Sequence, residues 1–192
     1  MNPLIVYLHG FNSSSLSHKA QVLGRYLEGL GLADRYACPA LPPLADDALA
    51  AAEQAMAGRE GGAICLVGSS LGGFYATYLA EKHGAKAVLI NPAIEPHVGL
   101  RDYLGPQKNL HTGEPYELTE QHLKQWARLY LPKITPERYL LIVETGDEVL
   151  DYRAAVARYA GAEQVVVEGG DHSLRSFADH LPRIVRFAGL RT

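Results

Sequence analysis

The chain has 192 residues, 47% hydrophobic and 20% charged, with a net charge of −3. That balance suits a single globular domain over 1–192 and argues against a disordered chain or a broad basic face for nucleic acid or anionic lipid. Met1–Gly10 lacks a basic start, no stretch approaches the roughly 18 apolar residues of a membrane span, and Cys38 and Cys65 make no disulfide framework, so a cytoplasmic protein is expected.

Leu4–Leu8 predicts a buried strand ending at His9-Gly10, and Asn12–Ser15 a polar loop. From Ser17 the apolar positions Ala20, Leu23, Leu27 and Leu30 keep helical spacing up to a stop at Gly31. A short strand around Tyr36–Cys38 leads into a proline-rich loop, Pro39–Pro43, and Asp46 or Asp47 opens an alanine-rich helix that closes near Gly58. Ala63–Val67 is the next buried strand. Leu71–Lys82 is a helix with no polar face, so it belongs inside the fold. Ala87–Ile90, Tyr139–Glu144 and Gln164–Glu168 are further strands, a helix over about Asp151–Tyr159 joins the last two, and Leu174–Ala188 is helical with a break at Pro182.

Strands apolar on both faces and separated by helices imply an α/β protein with a mostly parallel sheet of about six strands, covered on both sides. The interval 93–138 breaks that rhythm. A connection that long in a compact domain is usually functional, and it carries its own amphipathic helix with Leu123, Trp126, Ala127 and Tyr130 on one face. It is expected to be a helical lid over the sheet.

Gly68-Ser69-Ser70-Leu71-Gly72 fits G-x-S-x-G after a buried strand and before a helix, the setting of a nucleophile elbow. Glycine is needed two positions either side because neighbouring backbone comes close, and the helix N-terminus favours negative charge developing at Ser70. Ser69 lacks those flanking glycines. An elbow serine needs an acid and then a histidine later in the chain, each past a strand's carboxyl end. Asp147 and His172 satisfy both conditions. Glu148 competes with Asp147 because boundaries read from sequence drift; Glu144 belongs to its strand, Asp151 reads as a helix cap, and His180 is the second-choice base. The backbone N–H groups of Leu71 and Phe11 are the expected oxyanion donors. No spacing suggests a metal site, and no cofactor is expected.

The stretches Tyr7–Ser14, Val67–Ala80, Asn91–Pro96, Asp102–Gly105, Thr145–Ala160 and Glu168–Leu174 resemble the YqiA family of small bacterial esterases, within the α/β-hydrolase superfamily. The resemblance implies the α/β-hydrolase fold and hydrolysis of carboxylic esters by Ser70, Asp147 and His172, and it favours Asp147 over Glu148. Asp171 and Leu174 depart from the asparagine and aromatic residue the family tends to carry around the histidine. The partner expected is a small acyl ester of short or medium chain. The alternative is an acyl-CoA thioester, with Lys108, Lys124, Arg128 and Lys133 meeting its phosphates. Tyr103, Leu123 and Trp126 either line an acyl site or pack the insertion onto the sheet.

Overall fold

The computed structural model describes residues 2–59 and 63–191. Its strands are β1 (Leu4–Leu8), β2 (Tyr36–Ala37), β3 (Ile64–Ser69), β4 (Lys86–Ile90), β5 (Gly105–Lys108), β6 (Pro115–Leu118), β7 (Tyr139–Glu144) and β8 (Glu163–Val167). Six of them form one sheet in the order β2-β1-β3-β4-β7-β8, every pairing parallel.

Alternation across this sheet builds two cores. Leu4, Val6 and Leu8 of β1 and Tyr139, Leu141 and Val143 of β7 face one side. Ile5 and Tyr7, with Leu140 and Ile142, face the other. Both faces are dry, which is why the strands read as unbroken apolar runs. Helices α2 (Ala45–Met56), α3 (Leu71–His83), α5 (Glu120–Leu129) and α6 (Tyr152–Arg158) contribute to the first core. Helices α1 (His18–Gly29) and α7 (Leu181–Ala188) cover the opposite face. Most of the thirteen residues of α3 are buried, so the helix has no polar side to show.

The chain lays β2 on one side of β1 and then returns to lay β3 on the other. Loops leaving β1 and β3 therefore diverge, and a crevice opens at their carboxyl ends, where ligands settle in sheets of this kind. Residues 10–12 and 70–71 flank that crevice.

The insertion 93–138 holds a short helix α4 (Pro96–Gly99), an antiparallel hairpin of β5 and β6, and α5. The hairpin has no counterpart among the elements the sequence predicts. Its strands, GPQK and PYEL, are mostly exposed or half-exposed, so no apolar alternation announces them. The buried face of α5 is His122, Leu123, Trp126 and Leu129. Ala127 is exposed, a correction to the expected face. It follows Trp126 by one residue, about 100° around the helix. Among the described residues no helix is long and apolar enough to cross a membrane.

Candidate active site

The turn from β3 into α3 holds Ser70 at φ 54° and ψ −121°. Such a backbone is costly for a residue with a Cβ and persists only where its surroundings enforce it. They do so here. The Ser70 N–H donates to the Ile90 carbonyl at 3.0 Å, and the Ser70 carbonyl accepts from Gly73 at 2.9 Å and Ala93 at 3.0 Å. A Cβ on Gly68 would lie 2.3 Å from the Gly72 carbonyl oxygen, and one on Gly72 would lie 1.9 Å from that of Leu8. Only glycine fits at either place, as the motif requires.

Across the crevice, His172 Nε2 lies 3.1 Å from Ser70 Oγ. His172 Nδ1 lies 2.8 and 2.9 Å from the two Asp147 carboxylate oxygens. The imidazole is therefore set with its proton on Nδ1, given to Asp147, and Nε2 free to accept from the serine hydroxyl. The Asp147 side chain is 1% exposed and that of His172 is 21% exposed, so the carboxylate is sealed while the imidazole keeps an open edge. Asp147 Oδ1 also accepts from the N–H groups of Val149 (2.9 Å) and Leu150 (2.8 Å), which fixes the carboxylate plane.

The rivals are engaged elsewhere. Glu148 accepts from the His172 backbone N–H at 2.9 Å and does not touch the ring in this way. Asp151 caps α6 by accepting from Arg153 N–H at 3.0 Å. His180 Nε2 lies 3.1 Å from Ser176 Oγ, behind the His172 loop.

Glu144 does more than end a strand. It is 1% exposed. Its carboxylate accepts from the N–H groups of Asp171 (2.8 Å), Arg175 (3.0 Å) and Ser176 (2.8 Å) and from the Ser176 hydroxyl (2.7 Å). Burial pushes its pKa up, but the Ser176 hydroxyl and these N–H groups outweigh burial and hold it below the ordinary carboxylate value. Gly170, at φ 71°, is obligatory, since a Cβ there would lie 1.9 Å from Glu144 Oε2. Asn91 completes the clamp. Its Nδ2 donates to the carbonyls of Asp171 (3.2 Å) and His172 (3.1 Å), and its Oδ1 accepts from Glu144 N–H (3.1 Å). The one sequence signal for this clamp is a carboxylate closing an otherwise apolar strand. Asp171 turns its own carboxylate to Ser173 and Arg175, away from the ring.

On the other flank, Gly10 packs so close that a Cβ would lie 3.2 Å from Ser70 Cβ. The N–H groups of Phe11 and Leu71 have no acceptor among the described residues. They stand on the two loops that border the crevice. His9 Nε2 accepts from Leu41 N–H at 3.0 Å, which leaves Nδ1 to donate to the Gly10 carbonyl at 3.1 Å. The ring is neutral, and burial lowers its pKa further.

A cavity of about 330 Å³ opens beside these loops. Its walls come from residues 9–14, the proline loop 40–43, Leu71 and Tyr75, and hairpin residues including Asn109, Glu114 and Tyr116. Tyr103, Leu123 and Trp126 do not line it. Trp126 is fully buried, with its Nε1 donating to Tyr75 Oη at 2.7 Å, and Leu123 is 2% exposed. Trp126 ties α5 to α3 and both residues belong to the first core, so the expectation that they line an acyl site is corrected in favour of packing. Tyr103 is 51% exposed and meets the edge of Phe11 at 6.2 Å.

A family model described as Uncharacterised protein family (UPF0227) matches residues 4–189. The chain belongs to UPF0227. This is the YqiA family whose motifs the sequence resembles. Solved structures share the fold of the UPF0227 chain at low identity. Alpha/beta hydrolase domain-containing protein 10 from mouse is 16% identical, with a TM-score of 0.75 over 97% of this chain and 89% of that one. Est1E from Butyrivibrio proteoclasticus is 16% identical, with a TM-score of 0.67 over 97% and 86%. The esterase domain of a Rhodothermus marinus protein is 19% identical, with a TM-score of 0.65 over 98% and 87%. The architecture is that of the α/β hydrolases.

Proposed function

We propose that this chain is a single-domain serine esterase that hydrolyses short- and medium-chain carboxylic esters. The observation that carries the reading is the line Ser70 Oγ, His172 Nε2, His172 Nδ1, Asp147, joined at 3.1 and 2.8 Å. In the first half-reaction Ser70 Oγ attacks the ester carbonyl while His172 Nε2 takes the hydroxyl proton. Asp147 holds the imidazole tautomer and stabilises the imidazolium. The Leu71 and Phe11 N–H groups receive the oxyanion, each worth about 2.7–4 kcal/mol of transition-state stabilisation. The intermediate collapses, His172 returns its proton to the departing alcohol oxygen, and an acyl group remains on Ser70. His172 then deprotonates a water, which attacks that acyl group and releases the acid. The insertion 93–138 acts as the lid of this site.

The oxygen ester is favoured over acyl-CoA by the charges on the His172 side. Glu148 is exposed there, Arg175 is engaged by Asp171, and Lys19 donates to the Ser173 carbonyl. Glu148 and Asp171 offset Lys19 and Arg175, so this side presents no net positive charge to a polyphosphate leaving group. The test is release of p-nitrophenol from p-nitrophenyl butanoate, run beside butanoyl-CoA. Turnover of the oxygen ester is expected, falling on the order of 10⁶-fold in Ser70→Ala. Turnover that survives Ser70→Ala would defeat the reading, and faster cleavage of the thioester would move it to a thioesterase.

A further inference from the structure

We infer that the cavity beside β1 and β2 receives the acyl half of the ester, and that it admits an uncharged chain in preference to one ending in a carboxylate. The inference rests on the esterase reading and adds the orientation and class of the substrate. Its basis is the strand order. Ser70 leaves β3 near the middle of the sheet, and His172 and Asp147 follow β8 and β7 at one edge. The cavity lies toward the other edge, with walls from the loops after β1 and β2 and none from the Asp147 or His172 loops.

The chemistry then fixes which half goes where. His172 Nε2 must deliver a proton to the departing oxygen, so the leaving group lies on the His172 side. The acyl substituent points the opposite way, past the Phe11 and Leu71 N–H groups and into the cavity. Several of the cavity's polar side chains are already hydrogen-bonded within the protein. Asn12 binds Gln107 Oε1 at 3.0 Å and Tyr116 Oη at 2.6 Å, and Asn109 donates to the Ser13 carbonyl at 2.7 Å. What remains for a ligand is mainly the apolar surface of Phe11, Leu41, Leu71 and Tyr75. Among the described lining residues there is no lysine or arginine, and with His9 neutral the ionised side chain is Glu114. An alkyl chain fits those walls. A carboxylate at its tip would meet Glu114, with no lysine or arginine in the cavity wall itself.

The direct test uses ethyl p-nitrophenyl hexylphosphonate. Ser70 Oγ bonds to phosphorus, p-nitrophenolate departs with the bonding pair, and the serine proton passes to His172. A crystal structure of the adduct should show the hexyl chain against Leu41 and Tyr75 and the ethoxy group toward His172. The reverse placement would overturn the inference while leaving the esterase reading intact. No adduct on Ser70 would remove that reading and the inference with it. Kinetics supply the second arm. p-Nitrophenyl hexanoate should outrun mono-p-nitrophenyl adipate, and Glu114→Gln should narrow their ratio by about threefold, the size expected of a solvent-exposed charge. Leu41→Trp should lower the hexanoate-to-acetate ratio by about tenfold. Ratios unmoved by both substitutions would place the acyl chain elsewhere.

Discussion

The two edges of the sheet hold their loops by different means. At the β7–β8 edge, one buried carboxylate, Glu144, gathers backbone N–H groups of the His172 loop, and Asn91 gathers its carbonyls. At the β1–β2 edge, the hairpin is tied to the loop after β1 by uncharged groups, the side chains of Asn12, Asn109 and Tyr116 and one main-chain bond from Leu110 N–H to the Asn12 carbonyl. A charged acceptor shared by several main-chain donors gives a rigid clamp, because those donors are fixed in the backbone and their bonds are charge-assisted. Bonds between uncharged groups are weaker and more easily remade. The first suits an imidazole held within hydrogen-bond reach of a serine, as the proposed mechanism requires. The second suits a wall that has only to shape a cavity.

The contrast can be broken by substitution. The largest effect is expected from Asp147→Asn, which leaves the geometry but offers His172 the wrong tautomer. Its kcat should fall on the order of 10⁴-fold, with thermal stability little changed, as read by ester hydrolysis and a melting curve. Trp126→Ala should cost about 3–5 kcal/mol of stability in a urea titration, because a fully buried ring is lost from the core. A stable variant with altered acyl-chain preference would instead return Trp126 to the substrate site.

Glu144→Gln sharpens the comparison further. An amide turns N–H groups toward donors that need an acceptor, at a cost of about 3 kcal/mol, and kcat should drop with KM nearly unchanged. The sign of the pH dependence follows from the lowered pKa of Glu144. The ionised form is the one the fold stabilises, so this contribution is complete at pH above the ordinary carboxylate range. It is lost as pH falls through the depressed folded value. Melting temperatures of wild type and Glu144→Gln should therefore converge on acidification, and a gap that widens would contradict the clamp. The smallest effect is expected from Asn12→Gly, which tolerates the φ of 53° but removes two side-chain bonds to the hairpin. About 1–2 kcal/mol of stability should go, and chain-length selectivity should blur while the pH profile of kcat stays in place.

Much of this architecture could be read from residue pattern because its causes are local. Runs such as Leu4–Leu8 and Tyr139–Glu144 are buried on both faces, and the G-x-S-x-G glycines answer a steric demand within their own turn. The gathering of Ser70, Asp147 and His172 follows from parallel strands, which put all three loops at one end of the sheet. What escaped depends on contacts distant in sequence. The hairpin has no apolar period because it buries little, and its anchor to Asn12 spans about a hundred positions of chain. Glu144 looks like a strand residue until the loop 170–176 is wrapped around it. Leu123 and Trp126 carry the same helical spacing whether they face a core or a ligand.

The central claim is that Ser70 is an activated nucleophile, and intact-mass spectrometry after exposure to a fluorophosphonate tests it most directly. One adduct on the wild-type protein, none on Ser70→Ala and slower labelling of Asp147→Asn is the result the account predicts. A folded wild-type protein that takes up no reagent, or a Ser70→Ala variant that is still labelled, would contradict it.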